Sequence, residues 1–289
     1  MSGLGSRCRL FIAVFLLIFS TEFLRAQAPV NPQVFSWAPP DIDHVNIPAN
    51  TDVPCSLDKI LPAASKRVQE LVDNMQRFSA TERVEFQEAN RNGVLKSAQK
   101  ATFTYVAYIH EVRPRELTVE EYRNDSVAAQ QFPSRLATTG TAAFALLFHP
   151  NYLKDFTVAC EGLTEWNGHR AWRVHLSQTQ PNNFRGYRLA NRYFRVMLKA
   201  RAWIDADTFQ VLHLETNLRD PIEEIPLRLE TVIVDYGNVE FPKRHLQLWL
   251  PQSADIYMDY RGHRFHHQHR FSNFQLFSVE TTQTDQAPK

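Results

Sequence analysis

The chain has 289 residues, and its 32 lysines and arginines nearly balance its 31 aspartates and glutamates. This balance excludes a non-specific nucleic-acid binder, which needs a clear basic excess. Hydrophobic residues make up 44% of the chain and aromatic residues 12%, so it is not an acidic disordered protein. The length fits one large domain or two small ones.

The N-terminus has the pattern of a secretory signal peptide. Arg7 and Arg9 precede an apolar run over residues 10–19, and Ala26 provides a small-residue cleavage site. The run is shorter than the roughly 20 apolar residues that a membrane span needs. We therefore predict a signal peptide over residues 1–26 and a periplasmic or secreted protein. Removing these residues removes three arginines and one glutamate, which changes the formal charge from +1 to −1.

Cys55 and Cys160 remain after removal of the signal peptide, because Cys8 leaves with it. Two cysteines in an oxidising compartment favour a disulfide. The alternative is a pair of buried free thiols. A bridge would tie the start of the first predicted helix to a strand about a hundred residues later. Closing a loop of that length could stabilise the folded state by several kcal/mol.

Residues 27–55 are rich in proline and predict an extended segment that either lies on the domain surface or stays mobile. The next apolar residues recur at helical spacing, with charged residues between them and Pro62 suited to the first turn. These apolar residues are Val68, Leu71, Val72, Met75 and Phe78.

The remaining domain, residues 56–280 before a tail at 281–289, reads mostly as strands. A second helical section is expected over Ser126–Phe156, broken near Pro133. The predicted strands are Thr81–Asn90, Thr102–Val112, Arg115–Arg123, Thr157–Glu165, His169–Ser177, Tyr193–Ile204, Phe209–Leu218, Pro226–Tyr236, Lys243–Leu250, Asp255–Asp259 and Phe265–Glu280. Turns are expected at Asn92-Gly93, Asn167-Gly168, Gly237-Asn238 and Tyr260–His263.

Short connections make neighbouring strands antiparallel. The predicted fold class is therefore α+β, with one large curved antiparallel β-meander, a half-barrel, and helices that cover its concave face.

Sequence motifs for catalysis are mostly absent, and no cofactor is expected. The segment Arg261–Arg270 is unusual because it holds four histidines. On a strand, His267 and His269 share one face and His266 points to the other. His263, His267 and His269 are weak candidates for a metal site. A polar strand face with exposed histidines is the simpler interpretation, and pH sensing is a third.

Aromatic residues fall mostly on predicted strands, where they either fill a core or line an apolar cavity. With the apolar helix residues, the candidate cavity-lining residues are Val68, Leu71, Val72, Met75, Phe78, Phe103, Tyr105, Trp172, Trp203 and Trp249.

An early amphipathic helix, a helical interruption and a long meander over residues 56–280 resemble the LolA/LolB-type periplasmic lipoprotein carriers. The resemblance implies a half-open barrel whose helices close an apolar cavity for acyl chains, and it assigns no individual ligand contact. The segments Arg201–Thr208, Asp255–His263 and Phe271–Ser278 are also similar to secreted acidobacterial proteins without a known activity.

Three functions remain open from the sequence. The preferred one is a non-enzymatic carrier for an amphiphile or for lipoprotein acyl chains, with at most transient membrane contact. The second is an envelope interaction or sensor domain that binds a protein through edge strands or the His/Arg-rich strand. The third is a hydrolase or metal enzyme that uses the histidines.

Overall fold

The computed structural model describes residues 37–44, 48–74, 77–113, 116–123, 140–189 and 191–277. The helices are α1 (Leu57–Asn74), a 3₁₀ helix (Thr141–Phe148), α2 (Pro150–Leu153) and a 3₁₀ turn (Pro242–Arg244). The strands are β1 (Arg77–Asn90), β2 (Leu95–Arg113), β3 (Glu116–Arg123), β4 (Phe156–Trp166), β5 (His169–Gln178), β6 (Gly186–Leu189), β7 (Arg192–Arg195), β8 (Leu198–Asp205), β9 (Val211–Leu218), β10 (Leu227–Phe241), β11 (Leu246–Tyr260) and β12 (His263–Phe277).

Within these residues, ten strands form one open antiparallel sheet in the order β3-β2-β1-β12-β11-β10-β9-β8-β5-β4. β6 and β7 form a separate two-stranded hairpin. The predicted large antiparallel sheet is therefore confirmed, while the cover of a concave face by helices stays a prediction. No helix in the described part of the chain is both long and apolar enough to cross a membrane.

The first helix differs from its predicted limits at both ends. It begins at Leu57, where the Ser56 carbonyl accepts hydrogen bonds from the amides of Lys59 and Ile60, so Pro62 lies inside the helix. It ends at Asn74, and Phe78 belongs to β1. Phe78 fits the helical spacing, but its strand pairs with both β2 and β12, and that pairing decides its conformation.

Three predictions about the later strands were wrong. Gly237-Asn238 is not a turn, because β10 continues to a buried Phe241 and the chain reverses at Pro242–His245. Tyr193–Ile204 is two strands, β7 and β8, rather than one. The two segments predicted around Pro251 form the single strand β11, and a bulge there accommodates the proline.

Side chains of the sheet alternate between two faces. We call the face that carries the largest hydrophobic cluster the inner face, and the opposite one the outer face. α1 adds Ile60, Ala64, Val68 and Leu71 to this cluster. The 3₁₀ helix buries seven of its eight residues and contacts α1, β9 and β11. The first helix and the 3₁₀ helix thus share one apolar core with the sheet.

The segment before α1 crosses the outer face. Trp37 packs edge-on against Tyr257 of β11, with ring centroids 5.6 Å apart, and Ile42 is fully buried. The chain then reaches the sheet end, where Asn50 pairs with Leu163 of β4. The carbonyl oxygen of Asn50 lies very close to the backbone of β4. A Cβ atom at Gly162 would be only 2.6 Å from that oxygen.

A disulfide joins Cys55 to Cys160 of β4, with the Cα atoms 6.4 Å apart. The predicted bridge is therefore confirmed. Cys55 lies where the chain leaves the outer face of the sheet and enters α1. The bond therefore fixes the position at which the chain crosses from the outer to the inner face.

Candidate ligand cavity

A cavity of about 730 Å³ lies between β3, the 3₁₀ helix, α2 and the hairpin β6–β7. We call it the ligand cavity. Its apolar wall consists of Leu117, Val119, Ala143, Phe144, Leu146, Tyr152 and Phe184. Its polar lining consists of Glu116, Thr118, Glu121, Asn183, Arg185 and Tyr193. The volume suits a small-molecule site, since such sites measure roughly 300–1,000 Å³.

Glu121 holds the 3₁₀ helix against β3. Its carboxylate accepts hydrogen bonds from the amide of Gly140, at 2.7 Å, and from the hydroxyl of Tyr105, at 2.6 Å. Gly140 has a φ of 86°, a left-handed conformation that suits glycine. The carboxylate therefore has a structural task at the start of the helix.

Arg185 joins the other side of the ligand cavity to the sheet. It forms an ion pair with Glu230 of β10, and its guanidinium lies 5.4 Å from the ring centre of Phe144 and 5.3 Å from that of Tyr187. Burial opposes its charge, but Glu230 holds the pKa of Arg185 above its ordinary value. Arg185 therefore stays charged, and its pair with Glu230 anchors the base of the hairpin β6–β7.

Two further cavities adjoin the inner face. One, of about 560 Å³, lies at the end of α1 and shares Leu117 with the ligand cavity. Val72, Arg77 and His149 are among its lining residues. The other, of about 140 Å³, lies beneath α1.

The structure distributes the predicted cavity residues over several places. Val68, Leu71 and Trp249 meet at the 140 Å³ cavity, and Val72 lines the 560 Å³ one. Trp172 packs against the inner cluster. None of the ten candidates is among the described residues that line the ligand cavity.

The remaining candidates are core residues, except for one. Phe78 and Tyr105 are fully buried in the inner cluster, with ring centroids 5.8 Å apart. Phe103 belongs to a separate small cluster with Val84 and Phe86. Trp203 lies on the outer face, and Met75 lies outside the described residues.

The lining of the ligand cavity could be detected only in part from the sequence. The apolar run Ala142–Phe148 was visible, but its place opposite β3 depends on long-range packing. The signal that was missed is a charge pattern. Between Glu165 and Asp205 the sequence contains no acidic residue.

The histidines of β12 alternate as predicted, but they are not exposed. His267 and His269 are completely buried on the inner face, and His266 is buried on the outer face. Carboxylates from other strands surround them: Glu82 of β1 contacts Nδ1 of His269 at 2.7 Å. Cross-strand neighbours of this kind were not visible in the sequence around residue 265.

Glu82 also accepts two hydrogen bonds from Arg123, at 2.5 and 2.9 Å. Burial raises the pKa of this carboxyl, but His269 and Arg123 together hold it below its ordinary value. Burial and the neighbouring cationic groups lower the pKa of His267 to about 3. A buried hydrogen-bonded triad, Glu82–Arg123–His269, thus lies on the inner face.

His263, the other weak metal candidate, lies apart at the start of β12. Its Nδ1 atom is 2.7 Å from Glu88. In the described parts of the chain, no group of three histidine, cysteine or acidic side chains is arranged to hold a metal ion. β12 lies between β1 and β11, so its backbone is paired on both sides and cannot accept a partner strand.

No protein-family model matches the chain, and no curated protein matches it. Several solved structures are similar to it. A DUF1329 family protein from Desulfovibrio piger ATCC 29098 has 9% identity and a TM-score of 0.42, over 77% of this chain and 94% of its own.

A domain from Vibrio parahaemolyticus, provisionally described as an outer membrane lipoprotein-sorting protein domain, has 12% identity and a TM-score of 0.41 over 78% of this chain and 94% of its own. A LolA superfamily protein from Nitrosomonas europaea has 13% identity and a TM-score of 0.35 over 78% of this chain and 96% of its own. A LolA superfamily protein is thus among the structures similar to this chain, as the sequence resemblance predicted, and the likeness transfers no ligand and no activity.

Proposed function

We propose that the protein is an exported, non-enzymatic carrier that binds an amphiphile, a lipid or the acyl chains of a lipoprotein, in the ligand cavity. The observation that carries this proposal is the combination of one apolar wall with a polar rim around about 730 Å³. Fold similarity at 9–13% identity does not enter the argument.

The apolar wall supplies affinity for an acyl chain. Each methylene that leaves water contributes roughly 0.8 kcal/mol, so an acyl chain of roughly five to twenty buried methylenes offsets the loss of ligand freedom, about 4–15 kcal/mol. The rim residues Glu116, Asn183 and Tyr193 leave a headgroup in contact with polar atoms and water. An amphiphile fits both surfaces at once.

The charged residues at the ligand cavity favour binding over catalysis. Glu121 caps the 3₁₀ helix, and Arg185 is paired with Glu230. Both groups therefore serve the structure of the cavity wall. Export agrees with the Cys55–Cys160 disulfide, because such bonds persist in oxidising compartments.

Lipid extraction and mass spectrometry of the purified protein, followed by titration with a fluorescent fatty acid, test the proposal. We expect bound lipid and saturable fatty-acid binding. Ala143→Trp places a large side chain in the cavity wall and should weaken binding more than tenfold.

Ala98→Trp is the matched control, because Ala98 is exposed on β2 and far from the lining residues. It should bind the fatty acid like the wild type. A lipid-free protein that also ignores the probe contradicts the proposal, as does equal binding by Ala143→Trp.

A further inference from the structure

We propose that the hairpin β6–β7 docks the protein on an anionic lipid surface, with the mouth of the ligand cavity towards that surface. This inference rests on the proposed function, since it names the surface from which the amphiphile is taken or to which it is delivered.

The first observation is a local excess of positive charge in a chain that is otherwise balanced. No acidic residue occurs between Glu165 and Asp205. The basic residues of this stretch are Arg170, Arg173, Arg185, Arg188, Arg192, Arg195, Lys199 and Arg201. Four of these eight lie in or next to the hairpin β6–β7. Arg185 is paired with Glu230, so the basic residues of the two strands are Arg188, Arg192 and Arg195, with no acidic residue among them.

The second observation is the place of the hairpin in the fold. It pairs only within itself among the described strands, and it stands apart from the ten-stranded sheet. Arg192 and Arg195 are exposed, and 47% of Tyr193 is accessible. Arg192, next to the turn, and Arg195, paired with Gly186 at the base, thus flank this accessible aromatic ring along β7.

The base of the hairpin is held firmly. Arg185 is paired with Glu230, and Phe184 packs against Tyr152 with ring centroids 5.3 Å apart. Arg195 donates a hydrogen bond from Nε to Asn183, at 3.0 Å. Because its base is anchored, the hairpin can contact an external surface through its exposed residues without unfolding.

Tyr193 connects the hairpin with the ligand cavity, because it lines the cavity and is also exposed. Its ring lies directly over Gly186, where any Cβ would collide with it. The glycine therefore lets the tyrosine ring lie flat at the cavity mouth. A ligand that passes this ring moves between the outside and the apolar wall.

The side chains of Arg192, Tyr193 and Arg195 have the chemistry that binds a phosphate-rich bilayer surface. Tyrosine rings settle at the level of lipid headgroups, and arginines near an anionic surface bind its phosphates. The opposite rim of the cavity carries Glu116, which an anionic surface repels. These charges favour an approach with the hairpin foremost.

Co-sedimentation with vesicles tests the inference, using protein purified after export. The vesicles are of phosphatidylcholine alone or of equal parts phosphatidylcholine and phosphatidylglycerol. We expect binding only to the mixed vesicles, weakened by salt. Arg192→Gln with Arg195→Gln should weaken it roughly 25-fold, at about fivefold for each arginine.

Lys243→Gln with Arg244→Gln is the matched control, because it removes the same charge from an exposed turn between β10 and β11. It should bind like the wild type. Arg192→Lys with Arg195→Lys should also retain binding, since it keeps the charge. Tyr193→Ala should lose the part of the binding that persists in high salt.

Equal binding to both vesicle types overturns the inference, and so does an equal loss in the Lys243/Arg244 control. If the wild type ignores both vesicle types but binds polyglutamate through Arg192 and Arg195, the hairpin recognises an acidic protein instead. Fatty-acid binding without vesicles, measured on the same variants, reports on the proposed function separately.

Discussion

The two faces of the sheet bury apolar side chains to different extents, and both also bury paired charges. The inner face is covered by a continuous apolar cluster that includes α1 and the 3₁₀ helix. The outer face has a smaller apolar cluster around Trp203, and beside it Glu161 accepts hydrogen bonds from Arg173 at 2.8 Å and from Arg201 at 2.7 Å. The segment from Trp37 to Asp43 covers part of this polar surface. A sheet that is polar on its second face can still be well packed when each charge finds a partner.

Two buried histidines show how far the faces differ. His213 on the outer face stacks on Trp166, with ring centroids 3.9 Å apart, and contacts Asp235 at 2.7 Å and Glu215 at 3.2 Å. Burial opposes its charge, but these carboxylates raise the pKa of His213. On the inner face, burial lowers the pKa of His267. The same side chain therefore favours the charged form on one face and the neutral form on the other.

Glu82→Gln should have the largest effect on stability, because it breaks the buried triad on the inner face. Glu82 is fully buried, and its loss of charge leaves Arg123 and His269 without their anion. Breaking a buried ion pair from one side costs about 3–5 kcal/mol. Urea unfolding measures the difference in the free energy of unfolding.

Asp43→Asn is the matched change on the outer face. Asp43 pairs with Lys199 and His175, but 40% of its side chain is accessible. Exposed pairs contribute about 0–1 kcal/mol, so this variant should unfold nearly like the wild type. Equal destabilisation by Glu82→Gln and Asp43→Asn would contradict the expected difference between the buried triad of the inner face and the accessible pair of the outer face.

Replacing both cysteines with serine should come next, at about 2–5 kcal/mol. The bridge spans 105 positions and fixes the crossing from the outer face to α1. Its loss enlarges the unfolded ensemble and frees both segments. Reduction of the wild type should reproduce the loss, and the serine variant should not respond to reductant. A variant that melts at the wild-type temperature contradicts this role.

His213 and His267 should make the free energy of unfolding depend on pH in opposite directions. We expect these effects to be smaller than those of Glu82→Gln and of removing the disulfide. The raised pKa of His213 means that its stabilising charge is complete below about pH 6.5 and lost as the pH rises through the folded-state pKa. His213→Gln should therefore cost about 2 kcal/mol near pH 5.5 and less at alkaline pH. Unfolding curves across this range give the difference.

His267→Leu provides the contrast. In the wild type, the unfolded state takes up a proton near pH 6.5 that the folded state refuses down to about pH 3, so stability falls with acid. The leucine variant should lose less stability over this interval than the wild type. Parallel pH profiles for the His213 and His267 variants would refute the assignment of opposite charge states.

Local patterns predicted the sheet well, and the site poorly. Asn92-Gly93 and Asn167-Gly168 are turns with glycine in the left-handed region, because the signal lies within two residues. The extension of β10 past Gly237 depends on its pairing with β11, which no local pattern contains.

The ligand cavity is harder still, since β3, the 3₁₀ helix and the hairpin β6–β7 meet only in the folded chain. Trp203 shows the same limit: alternation places it on a face, but only the packed sheet shows which face touches α1. The periodicity of a strand shows that its side chains alternate between two faces. It does not show which of the two sets faces the core.

The covering of the outer face also sets an order of assembly. Trp37 rests on Tyr257 of β11 and Ile42 donates a hydrogen bond to Asn217 of β9, partners that lie some two hundred residues apart along the chain. The segment from Trp37 to Ile42 has no surface to bind until β9 and β11 have joined the sheet. Its docking therefore follows the formation of the sheet, and the Cys55–Cys160 bond ties the chain that follows the docked segment to β4.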